Sequence, residues 1–280
     1  MIENHENNYE IYDNIPSNQT PPVNAEVFDD NYDRNPKIKS HIIQDIGLIL
    51  LGTIGLYFVN FLITVIALQI YRAQGFSDGA IRTYLEGFEF LSFTNFIQYT
   101  TLFVLGTLVI YLGKTLIPLL RDFKKFRTYL YGIGFGLLAI FTSIAYNGII
   151  GFIFPDLGSN DNQNAVEAVI KIHPLLSLIW IPFLGPIVEE FTYRFGLFNA
   201  LNKINRIFAY VVVSLIFGLI HFNFFAPNIA VELLNLPPYI ISGLIFSYIY
   251  DRENLATSIV AHVTNNLVSY LAMIFYMITQ

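Results

Sequence analysis

Apolar runs long enough to cross a bilayer recur along this chain from Ile42 to its end. About 20 apolar residues span a membrane as a helix, and by that measure seven spans are expected. They fall at roughly 42–70, 92–112, 129–154, 174–201, 207–225, 233–250 and 255–279. In lipid every backbone polar group must be satisfied within the chain, which leaves helices as the natural spanning form for runs of this length. Charged residues make up only 13% of the chain, about half the share of a soluble domain. The expected fold is therefore an all-α, polytopic transmembrane helix bundle.

Residues 1–41 differ in kind. Residues 1–40 hold eight acids against Arg34, Lys37 and Lys39, with many Asn and Pro and few large apolar side chains. Such a segment cannot bury enough surface to offset its ordering entropy, and it reads as a disordered acidic tail. The first apolar run is too long, and too far from the N-terminus, for a cleaved signal peptide. Helices 42–173 and a core at 174–280 follow. The basic residues cluster in 1–40, 113–128, 202–206 and 251–254, whereas Arg72, Arg82 and Lys171 fall in the alternate loops. By the positive-inside rule the N-terminus is cytoplasmic and the C-terminus outside. The chain has no cysteine, which excludes disulfides, thiolate metal sites and cysteine nucleophiles. Nothing in it points to nucleic acid; the partner of its surface is the lipid bilayer.

Glycines crowd the third run, and Gly132-x-x-x-Gly136 has the spacing of a small-residue helix contact. No strand pattern precedes it, so a nucleotide-binding loop is a poor reading.

Within the fourth run stand Glu189 and Glu190, with Arg194 one turn on. An intramembrane carboxylate is costly unless paired or facing a wet cavity, so it is a functional-site candidate. Two later runs carry His221, and His262 with Asn266. Glu190 and Arg194, Phe217 and His221, and His262 and Asn266 are each i,i+4 pairs on one helix face. Glu189 points about 100° from Glu190. The simplest division pairs Glu190 with Arg194 and leaves Glu189 to face a cavity. Separately, an ion pair, a hydrogen-bonded histidine and a helix-bridging asparagine would be structural. Together they read as a reaction centre, with Asn147, Asn223 and Asn265 as neighbouring candidates.

Two mechanisms suit this set. In one, Glu189 is a general base that activates a water held with His221, while His262 and Asn266 donate to the oxyanion. In the other, His221 and His262 hold Zn²⁺ with a carboxylate and leave a water position open. No HExxH motif occurs, and there is no convincing serine nucleophile in a G-x-S-x-G setting.

At these residues the chain resembles the CPBP family, the CAAX-protease and bacteriocin-processing membrane proteases also called Abi proteins. The family motifs Glu-Glu-x-x-x-Arg, Phe-x-x-x-His and His-x-x-x-Asn read here Glu189-Glu190-Phe191-Thr192-Tyr193-Arg194, Phe217-Gly218-Leu219-Ile220-His221 and His262-Val263-Thr264-Asn265-Asn266. All three are intact and in order, within about residues 174–272. The resemblance implies an intramembrane endopeptidase acting on a membrane-associated peptide or protein. It implies water activation by Glu189 and His221, an oxyanion site at His262 and Asn266, and a supporting Glu190–Arg194 pair. The family is conventionally named metalloprotease, and both mechanisms stay open. The Ile-, Asn- and Tyr-rich composition points to a bacterial plasma membrane. The rivals are a non-proteolytic scaffold or bacteriocin-immunity protein binding a membrane partner, and a small transporter with Glu189 as its proton site.

Overall fold

The computed structural model describes residues 40–279, in which helices joined by loops are the regular structure, with no strand among the described residues; the acidic tail lies outside the described residues except for its last two positions. Eleven helices follow in order. They are α1 (Ile42–Ala73), α2 (Asp78–Leu85), α3 (Phe88–Leu112), α4 (Leu116–Asp122), α5 (Phe126–Ile153), α6 (Asp161–Ile172), α7 (Pro174–Asn202), α8 (Arg206–Leu219), α9 (Ile229–Asn235), α10 (Pro237–Arg252) and α11 (Leu255–Thr279).

Six of the segments are long and apolar enough to cross a membrane: α1, α3, α5, α7, α9 with α10, and α11. The chain is a multi-pass membrane protein. The expected fifth span, 207–225, is corrected: α8 stops at Leu219 after 14 residues. At 1.5 Å per residue it covers about 21 Å, short of a hydrocarbon core of about 30 Å. Its end is sealed locally, with the His221 N–H donating to Gly218 O at 3.0 Å and the His221 ring bonding Phe217 O at 2.8 Å. The carbonyl that would have continued the helix is taken by a side chain.

Direction still alternates. One end of the bundle is tied by the Asp45–Lys203 pair (2.6 Å), the Arg206–Asp251 pair (2.5 Å) and the Arg127–Glu253 pair (2.6 Å). Gln44 Nε2 donates to Thr115 Oγ1 at 2.8 Å at the same end. These contacts join the starts of α1, α5, α8 and α11 to the ends of α3, α7 and α10. The basic residues of three clustered segments therefore share one end.

Burial is reversed relative to a soluble protein. Large apolar side chains such as Phe152, Leu175 and Ile43 point outward, whereas Gln44, Gln98, Ser177, Thr192, Ser247 and Ser258 are buried. Lipid solvates the former as well as a protein core would, so association rests on close packing and internal polar contacts. Gly132 and Gly136 supply the packing between α5 and α11. A Cβ on Gly132 would come within 2.5 Å of Val260, and one on Gly136 within 2.5 Å of Ala261 O.

α7 is not a regular helix. Turns of π-helix occupy Trp180–Leu184 and Glu190–Phe198, a form that recurs at functional sites. In a π turn the N–H of residue 186 would serve the carbonyl of Ile181, but Pro186 has no N–H. Asn266 Nδ2 of α11 donates to that carbonyl instead, at 3.2 Å.

Gly136→Val should cost about 1–3 kcal/mol by overpacking α5 against α11. Gly134→Ala, whose Cβ meets nothing within 4 Å, should be near neutral. Thermal unfolding in detergent compares them.

Candidate active site

Glu190 is the centre of the polar interior. It is fully buried, as is Arg194. Arg194 Nη1 lies 3.1 Å from Glu190 Oε1, an ion pair rather than an aligned hydrogen bond. His262 Nδ1 lies 2.9 Å from the same oxygen, and the Ser258 hydroxyl donates to Oε2. Three groups from two helices thus meet one carboxylate, which offsets the cost of holding it dry.

Arg194 is held from its other sides. Nη2 donates to Gly243 O at 3.3 Å, and the guanidinium sits 4.3 Å from the Phe217 ring centroid and 5.5 Å from that of Phe246. A planar, weakly hydrated guanidinium suits such aromatic walls. Gly243 lets α10 and α8 approach, since a Cβ there would stand 3.1 Å from Phe217. Phe217 therefore borders Arg194, His221 (ring centroids 5.2 Å apart) and His262 (5.5 Å) at once.

The two imidazoles are oriented alike. A carboxylate and a carbonyl only accept, so His262 Nδ1 donates to Glu190 and His221 Nδ1 donates to Phe217 O. In the neutral rings the lone pair then sits on Nε2. His262 also stacks on Phe246 (4.6 Å) and His221 on Tyr239 (4.5 Å).

Glu189 differs from its neighbour. Its side chain is 16% exposed, and Oε2 lies 3.7 Å from His262 Nε2. His262 stands between the two carboxylates, with Nδ1 2.9 Å from Glu190 Oε1 and Nε2 3.7 Å from Glu189 Oε2. Glu189, His221, His262 and Asn266 all line one cavity of about 640 Å³, which Asn160 and α6 residues from Asn162 to Ile170 also line.

Of the neighbouring candidates, Asn147 and Asn265 line the cavity, and Asn265 donates to Asn266 Oδ1 at 3.0 Å. Asn223 bonds Asp161 and Glu232 instead. Sequence reasoning passed over Ser258, Tyr239, Phe246 and the Gly243 carbonyl. Only Ser258 carried a signal, standing four residues before His262 on the same face. Among the described residues no group of three or more His, Cys, Asp or Glu side chains is arranged to hold a metal ion.

Residues 171–268 match the model of the Rce1-like family, type II CAAX prenyl endopeptidase Rce1-like. YdiL of Bacillus subtilis (strain 168), named as a putative membrane peptidase, is 30% identical over 139 residues, 49% of this chain and 53% of YdiL. The membrane-embedded CAAX protease MroQ of Staphylococcus aureus (strain USA300) is 27% identical over 196 residues, 65% of this chain and 74% of MroQ. The aligned part thus spans about half the length of YdiL. No solved structure matches. The chain is thus similar, over part of its length, to a CAAX prenyl endopeptidase family and to two bacterial membrane proteins named as peptidases.

Arg194→Ala leaves Glu190 buried without its cation and should cost about 3–5 kcal/mol. Glu189→Gln removes a partly exposed group with one longer contact and should cost under about 1 kcal/mol. Thermal unfolding of the two purified variants separates them.

Proposed function

We propose that this protein is an intramembrane endopeptidase that hydrolyses peptide bonds of a membrane-associated peptide or protein. The observation that supports this most is the convergence of Glu189, His221, His262 and Asn266, from three separate parts of the chain, on one cavity. Glu190 and Arg194 satisfy each other, so the partly exposed Glu189 is the carboxylate able to accept a proton.

Glu189 acts as general base on a water that also hydrogen-bonds His221 Nε2. The water oxygen adds to the scissile carbonyl carbon, and its proton passes to Glu189. The carbonyl oxygen becomes an oxyanion. Asn266 Nδ2 donates one hydrogen to Ile181 O and has a second for the oxyanion. His262 can donate there only as imidazolium, because its Nδ1 proton is committed to Glu190. Glu189 then returns the proton to the departing amine nitrogen as the carbon–nitrogen bond breaks.

Zinc would call on His221, His262 and a carboxylate, which are the right donor types. The described side chains do not form a three-donor cluster, so they do not fit the ion as placed, and no step is assigned to it. The proposed setting is a bacterial plasma membrane with the N-terminus and the basic end of the bundle cytoplasmic.

Purified protein in detergent should cleave members of a quenched peptide library, and Glu189→Gln should lower cleavage by about 10²–10⁴-fold. Cleavage undiminished by a chelator is expected; complete loss with chelator and recovery on adding Zn²⁺ would favour the metal mechanism. No cleavage by either protein, with full cellular rescue by Glu189→Gln, would favour a non-proteolytic scaffold or immunity role.

A further inference from the structure

His221 stands outside any helix, two residues past the end of α8, yet its ring has one fixed orientation. The chain on its far side is anchored. Asn223 N–H donates to Glu232 Oε2 at 3.0 Å, and Asn223 Nδ2 donates to Asp161 Oδ2 at 2.7 Å. The Asp161 N–H, in the first turn of α6, donates to the other Glu232 oxygen at 2.8 Å. One buried carboxylate, 2% exposed, therefore bridges two backbone N–H groups from segments far apart in sequence. A second tie reaches the ring itself. Asn162 Nδ2, also in that turn, donates to Tyr239 Oη at 3.2 Å. The Tyr239 ring lies parallel to His221, with centroids 4.5 Å apart and planes 14° apart.

We infer that the first turn of α6, acting through Glu232 and Tyr239, positions His221, so that Asp161, Asn162, Glu232 and Tyr239 are positioning residues for the reaction centre. The inference rests on the reading of His221 as part of that centre. A loop histidine has no helical register to fix it, and its Nε2 must face Glu189 across the cavity. Its own N–H is held by the end of α8, and the chain two residues on is held by Glu232 at Asn223. The stacked Tyr239 limits rotation of the ring. α6 also lines the cavity, so an element that bounds the site is the one that sets this residue.

The test is ring-¹⁵N histidine spectroscopy on the full chain in detergent micelles, with His221→Gln assigning the signal. In the wild type, His221 should show a protonated Nδ1 and an unprotonated Nε2. Glu232→Gln, which puts an NH₂ against a backbone N–H, should average or broaden that signal and leave His262 unchanged. Tyr239→Phe, which keeps the stack and loses the Asn162 bond, should do so more weakly and covers the case in which Glu232→Gln does not fold. On any peptide the wild type cleaves, kcat should fall about a hundredfold with KM unchanged. A His221 signal unaltered in both variants would overturn the inference, as would equal disturbance of His221 and His262. Absence of cleavage by the wild type would count against the endopeptidase reading and leave the spectroscopic result decisive for positioning.

Discussion

A carboxylate sealed inside a membrane protein dictates much of what surrounds it. Glu190 has no contact with solvent, and an unpaired charge there would cost several kcal/mol. Arg194 on the same helix and His262 and Ser258 on α11 answer it. Each of these needs its own support. Arg194 requires the aromatic walls of Phe217 and Phe246 and the close approach permitted by Gly243. His262 requires α11 to lie against α5, which Gly132 and Gly136 allow. The packing of five helices follows from satisfying one group.

The same assembly separates two adjacent acids by environment. Glu190 is dry and saturated, while Glu189 has one neighbour at 3.7 Å and a cavity before it. Adjacent residues on a helix face different directions, so a single dipeptide supplies both a structural ion and a candidate reactive group. His262 links the roles, with one nitrogen on each carboxylate.

Much of this was legible in the sequence because polar residues at membrane depth are conspicuous. Glu190–Arg194 pairing, the convergence of Glu189, His221, His262 and Asn266, and the Gly132/Gly136 contact all follow from spacing and lipid physics. Other features were not. Regular helical angles do not describe α7, where Pro182 and Pro186 accompany π turns. His221 and Phe217 are four apart, but the helix ends between them, and composition alone gives no sign of a ring capping its own helix. Tyr239 reaches His221 by tertiary packing. α6 was missed in a loop although Asn160 caps Gln163 N–H at 3.0 Å and the Val166, Val169 and Ile170 spacing carries a helical period. Its brevity hid it beside runs twice as long.

The account depends on Glu190 and Arg194 acting as one buried unit. A double-mutant cycle with Glu190→Gln, Arg194→Met and their combination, followed by thermal unfolding in detergent, measures this directly. The double variant should lose less than the sum of the two single losses, with a coupling energy of about 1–3 kcal/mol. Additive losses, with no coupling, would contradict it.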